Sequence, residues 1–144
     1  MKYSNIEPVL NDFGELLYPQ LHDAKLKALN TDNKELTITL ELSSEETLQV
    51  TFKQVVEFIC NSFSSQNIVL DMTIDSSRMV PASSLEKIYS RPPAMLDKHE
   101  TLIKRLQEKI LQGEYCYVEI NPSCGCEAFI LCHSIEFGTV DPDS

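Results

Sequence analysis

The sequence has few of the features that common nucleotide-binding and membrane proteins require. It has no tryptophan. It has only four glycines, at positions 14, 113, 125 and 138, and their wide spacing excludes a local glycine-rich loop that binds phosphate. It has no apolar run of about 18 residues, as a membrane-spanning helix needs, and residues 1–8 lack the apolar core of a signal peptide. We therefore expect a cytoplasmic protein with no membrane partner.

Positive charge is also scarce. Twelve Lys and Arg stand against 22 Asp and Glu, a formal net charge of −10. Because nucleic acid phosphates and anionic lipids repel such a chain, we expect no nucleic acid partner and favour a basic protein partner. The charge is uneven: residues 78–109 contain seven Lys or Arg and four acids, whereas residues 114–144 contain six acids and no Lys or Arg.

The composition is that of one globular domain covering residues 1–144, with 42% hydrophobic and 24% charged residues. The five cysteines are an odd number in a chain without a recognisable signal peptide. This pattern predicts reduced thiols rather than a disulfide framework, with Cys60 and Cys116 as core residues.

Apolar and polar residues alternate over much of the chain, which is typical of half-buried strands. Residues 21–52 predict a three-stranded antiparallel meander, and residues 115–137 a C-terminal hairpin. Residues 55–63 fit a helical turn and an irregular strand equally well. The predicted strands span residues 21–28, 36–42, 48–52, 68–74, 115–121 and 127–137.

Two segments have helical spacing of apolar residues. Residues 9–18 predict a short helix, and residues 96–112 predict a long amphipathic helix that ends before Gly113. The predicted fold class is therefore α+β, an antiparallel sheet of about six strands with one long amphipathic helix packed on it.

Candidate metal ligands cluster near the C-terminus. Thiolates and imidazole are suitable ligands for zinc or copper(I). The most specific chemical hypothesis is therefore a metal site formed by Cys124, Cys126, Cys132 and His133. Their spacing is not a standard zinc pattern, and adjacent strand residues at 132 and 133 point to opposite faces. We therefore expect no cofactor, and keep a metal-binding protein as an alternative.

No catalytic constellation is evident. A nucleophilic cysteine needs nearby positive charge, whereas the C-terminal hairpin carries Glu119, Glu127 and Glu136. His22 and Asp23 would point to opposite sides of a strand, so they cannot act on one another. The sequence predicts a non-catalytic protein, and a small enzyme with an unrecognised site is a further alternative.

Short motifs resemble small bacterial immunity-type proteins of toxin competition systems. They are Leu21-His22-Asp23-Ala24 and Val50-Thr51-Phe52, with a fainter likeness at Asn121-Pro122-Ser123, so the resemblance covers mainly residues 20–60. It implies a cytosolic, non-catalytic inhibitor that binds one toxin through exposed side chains. The acidic charge favours a basic toxin domain as that partner.

The acidic C-terminal region supplies the predicted partner-binding surface. Acidic side chains there would steer a basic partner, and tyrosines would serve as anchors. The predicted contact residues are Glu114, Tyr115, Tyr117, Glu119, Glu127 and Glu136.

Overall fold

The computed structural model describes residues 2–89 and 96–141 and consists mainly of antiparallel strands. Its strands are β1 (Lys2–Ile6), β2 (Val9–Leu10), β3 (Leu16–Tyr18), β4 (Lys25–Asp32), β5 (Glu35–Glu41), β6 (Thr47–Lys53), β7 (Glu57–Asn61), β8 (Ile68–Asp75), β9 (Cys116–Cys124), β10 (Glu127–Cys132) and β11 (Ser134–Asp141). Its helices are α1 (Ala82–Glu86) and α2 (Leu96–Leu111). Within this described part of the chain, no helix is long and apolar enough to cross a membrane.

Nine strands form one sheet in the order β1-β11-β6-β5-β4-β8-β9-β10-β7, while β2 and β3 form a separate two-stranded hairpin. The chain passes from β6 almost directly into β7, and from β10 into β11. These two long segments pair with each other twice, β7 with β10 and β6 with β11. Because each of these two segments pairs near both ends of the strand order, the sheet is strongly curled, and its inner face encloses a core.

The core inside the curled sheet follows from strict alternation in the central strands. Leu36, Ile38 and Leu40 of β5 are fully or almost fully buried, and the Thr residues between them are half-buried. Strand β6 repeats the pattern with its own buried apolar residues. Because side chains on a strand alternate between faces, one face of each strand fills the interior.

A second, smaller core lies on the outer face of β9 and β10, where α2 packs. Ile103, Leu106 and Ile110 of the helix join a cluster that includes Tyr117 and Phe129 of the sheet. Their spacing of three and four residues places them on one face of the helix. The helix predicted over residues 96–112 is thus observed at Leu96–Leu111.

The predicted architecture of six strands and one long helix is wrong. The described residues form a nine-stranded sheet, a two-stranded hairpin and two short helices of 5 and 16 residues. Strand β1 was missed because it is polar, an edge strand held only by β11. The ambiguous segment 55–63 contains β7, and the predicted strand over residues 127–137 is interrupted at His133.

The helix predicted over residues 9–18 is also wrong, because this segment is the β2–β3 hairpin. Phe13 and Glu15 each donate a backbone N–H to the Asn11 side-chain oxygen, both at 2.9 Å. Gly14 adopts a φ of 82°, in the left-handed region. A side chain that binds its own backbone, followed by a left-handed glycine, favours a turn over a helix.

Candidate protein-binding surface

Exposed apolar side chains are concentrated on the β2–β3 hairpin. Ten large hydrophobic residues are exposed among those that the structure describes, and five lie within residues 9–18. Phe13 is the extreme case, with 79% of its surface exposed. We call the five residues the hairpin surface: Val9, Leu10, Phe13, Leu17 and Tyr18.

The hairpin is anchored to the sheet. Ile74 of β8 donates its N–H to the Gly14 carbonyl at 2.8 Å, and a bridge joins Glu15 to Thr73. A β-carbon at Gly14 would lie 2.6 Å from the Ile74 carbonyl oxygen, so the two backbones are closely packed. Leu16 is buried in the core. The contacts with β8 therefore hold the hairpin, and the apolar side chains that it carries, against the sheet.

An arginine that follows β8 contacts the tip of the hairpin. Arg78 donates from Nη2 to the Asp12 carbonyl at 2.5 Å, and its Nη1 lies 3.5 Å from Asp75 Oδ1. Burial raises the pKa of Asp75, the Arg78 charge lowers it, and the nearby Glu119 raises it further. The cation nearest to the hairpin is thus already engaged within the chain.

The rim of the hairpin surface is acidic. Residues 3–24 contain four acids and no Lys or Arg, and the turn that connects β5 to β6 adds Glu45 and Glu46. This turn lies beside the hairpin, because a shared surface depression is lined by Tyr18 and Glu46. All these acids are exposed. Exposed apolar side chains flanked by acids complement an apolar surface flanked by basic residues.

The predicted tyrosine anchors are largely covered. Tyr117 is buried under α1, where its hydroxyl donates to the Ser84 carbonyl at 3.0 Å, and burial raises its pKa. Tyr115 is half-buried, with its ring 4.8 Å from the His133 ring and the Lys109 ammonium 5.4 Å from its centroid.

Three of the four predicted acidic contacts are ion-paired within the chain, each at 3.1 Å. The basic partners of two of them come from the segment 78–109, so this segment neutralises part of the acidic region. Glu127 is half-buried on β10 and forms no ion pair with any described residue. The three ion pairs are Lys109–Glu114, Lys87–Glu119 and Lys53–Glu136. The role of these acids in binding stays a prediction.

The candidate metal ligands do not form a metal site. Cys126 forms a disulfide with Cys60, which corrects the prediction that all five cysteines are reduced. Cys124 is exposed, whereas Cys132 is buried, and burial raises the pKa of its thiol to about 12. Across residues 2–89 and 96–141, no group of three or more His, Cys, Asp or Glu is placed to hold a metal ion.

The His22 and Asp23 side chains meet, contrary to the prediction. Strand β4 begins only at Lys25, and Asp23 has a φ of 67°. The turn brings His22 Nδ1 within 3.2 Å of Asp23 Oδ2, with both side chains more than half exposed. An exposed pair is well solvated, and pairs of this kind contribute little to stability.

Sequence reasoning missed the hairpin surface because the apolar residues 9–18 were assigned to a helix with a buried face. The available signal was Asn11 three residues before Gly14, which is typical of a turn. Comparisons with protein-family models, with curated proteins and with solved structures found no match to this chain.

Proposed function

We propose that this protein is a non-catalytic protein-binding domain that contacts its partner through the hairpin surface. One observation carries the proposal. Of the large hydrophobic residues that are exposed in the described part of the chain, half lie on one anchored hairpin. A concentration of large exposed apolar side chains in one segment is typical of an interaction site. Phe13 and Tyr18 are the kind of aromatic residue that dominates binding energy.

The partner is a basic protein. The acidic rim and the formal charge of −10 would steer a basic surface toward the hairpin and raise its association rate. A second copy of this chain is a poor partner, because self-association through the hairpin would bring two acidic rims together. The charge thus favours a heterologous complex.

An immunity-type inhibitor of a basic bacterial toxin is the specific version of this proposal. It is supported by the sequence resemblance over residues 20–60 and by the acidic rim. A cytoplasmic location belongs to the same version, and the Cys60–Cys126 disulfide counts against it, because disulfides are rare in reducing compartments. The metal-binding alternative loses support because Cys126 is not available as a thiolate.

The test is affinity capture from a lysate of the native host with the wild-type chain and two variants. Phe13→Ser with Leu17→Ser removes two exposed apolar side chains of the hairpin surface, and truncation of two anchors should weaken binding at least about 30-fold. Leu111→Ser is the control, since Leu111 is exposed elsewhere. The proposal would be contradicted if both variants failed to capture a protein that the wild-type chain captures, or if both captured it as well as the wild-type chain does.

A further inference from the structure

We infer that a depression beside the hairpin surface binds a cationic side chain of the partner, an inference that rests on the proposed function. The depression has a volume of about 280 Å³. Strands β1 and β11, the end of β3 and the turn between β5 and β6 contribute its walls. Its principal lining residues are Ile6, Tyr18, Pro19, Leu42, Glu46 and Thr139.

The walls of the depression suit the aliphatic stem of an arginine or lysine. Ile6 and Leu42 are partly buried and pack against the main core, and Pro19 is buried. Tyr18 is 53% exposed, so much of its ring is open to a partner. Long cationic side chains cover apolar surface with their methylene groups while the charge stays in polar surroundings.

Glu46 supplies the negative charge at the rim, and its turn is held in place. Leu42 donates its N–H to the Glu46 carbonyl at 2.8 Å, and Glu45 donates to the Leu42 carbonyl at 2.9 Å. The Ser44 hydroxyl donates to Glu46 Oε1 at 3.1 Å, which orients the carboxylate. A guanidinium can pair with such a carboxylate and stack on an aromatic ring, here that of Tyr18.

Among the residues that the structure describes, no Lys or Arg lines this depression. The basic residue nearest in sequence to Tyr18 and Pro19 is Lys25, which is paired with Glu41. The described walls therefore combine a carboxylate, an open aromatic ring and apolar side chains. A basic partner would supply the cation.

The test is an NMR titration with the peptide acetyl-Ala-Arg-Ala-amide and, as its neutral isostere, acetyl-Ala-citrulline-Ala-amide. We expect the arginine peptide to shift the signals of Ile6, Leu42 and Thr139 with millimolar affinity. Glu46→Gln should weaken this binding about fivefold, as loss of an exposed ion pair does. Glu108→Gln is the charge-matched control, because Glu108 is exposed on α2 and does not line the depression, and it should leave binding unchanged.

Three results would overturn the inference. The citrulline peptide could bind as tightly as the arginine peptide, both glutamine variants could lose the same affinity for the arginine peptide, or the NMR signals of Ile6, Leu42 and Thr139 could stay unshifted. Those results would leave the proposed function intact, because partner capture by the hairpin surface is measured separately. Conversely, arginine binding that depends on Glu46, together with undiminished capture by the Phe13 and Leu17 variant, would contradict the proposed function alone.

Discussion

At the residue scale, two side-chain choices decide the conformation of residues 9–18. The spacing of Val9, Phe13 and Leu17 is compatible with a helix, and propensity alone does not exclude one. The Asn11 side chain instead accepts two backbone N–H groups, and Gly14 supplies the left-handed residue. The conformation of the hairpin, and with it the hairpin surface, depends on these two positions.

Gly14→Ala should be more costly than the same change at Gly113. Both glycines have positive φ, which costs a residue with a β-carbon about 1–2 kcal/mol. At Gly14 the new atom would also lie 2.6 Å from a backbone oxygen, whereas at Gly113 it meets the end of the Ser77 side chain, which can rotate. Denaturant unfolding should show a loss of at least about 2 kcal/mol for Gly14→Ala and about 1 kcal/mol for Gly113→Ala. Equal losses would show that the Ile74 contact is not tight.

Asp75 should make the protein less stable as pH rises. Burial raises its pKa above the ordinary 3.8, so the folded state holds the proton more tightly than the unfolded state. The resulting stability is complete below pH 3.8 and is lost as pH rises through the folded pKa. Asp75→Asn should therefore gain stability relative to wild type over that rise, as measured by urea unfolding at a series of pH values. A constant difference between the two proteins would contradict the shift.

At the element scale, the strands that the sequence predicts best are those in which apolar and polar residues alternate most regularly. Strands β5 and β6 were predicted nearly to their ends, because one face is buried throughout and the other is polar. Helix α2 has an equally clear stripe. Strands β1 and β7 lack such a pattern, since each is an edge strand with one neighbour. Their pairing depends on distant segments, which periodicity does not reveal.

The disulfide should stabilise the edge strand β7. It joins Cys60, in β7, to Cys126, beside β10, across 66 positions of sequence. Replacing both cysteines with Ser should lower the free energy of unfolding by roughly 2–4 kcal/mol, because the unfolded chain is no longer cross-linked. Cys124→Ser, at an exposed free thiol, is the control. A reductant should bring the wild-type unfolding curve to that of the double variant, and no change on reduction would contradict the disulfide.

At the scale of the whole molecule, the sequence does not show which charged residues pair with one another. The net charge favoured a basic partner, which stays a prediction, and the run of acids in residues 114–144 placed the acidic surface at the C-terminus. The fold pairs Glu119 with Lys87, 32 positions away in sequence, and Glu114 with the nearby Lys109. It also brings the acidic turn between β5 and β6 beside the N-terminal hairpin. The proximity of this acidic turn to the exposed apolar hairpin is seen only in the folded chain.

Hydrogen exchange, measured on the captured complex and on the free protein, would show which face of the molecule the partner covers. We predict slower exchange in residues 9–20 and 42–46, because the partner covers the hairpin surface and the adjoining turn. Slower exchange confined to residues 114–119 and 127–136, with the hairpin unchanged, would place the partner on the acidic C-terminal region and contradict the account.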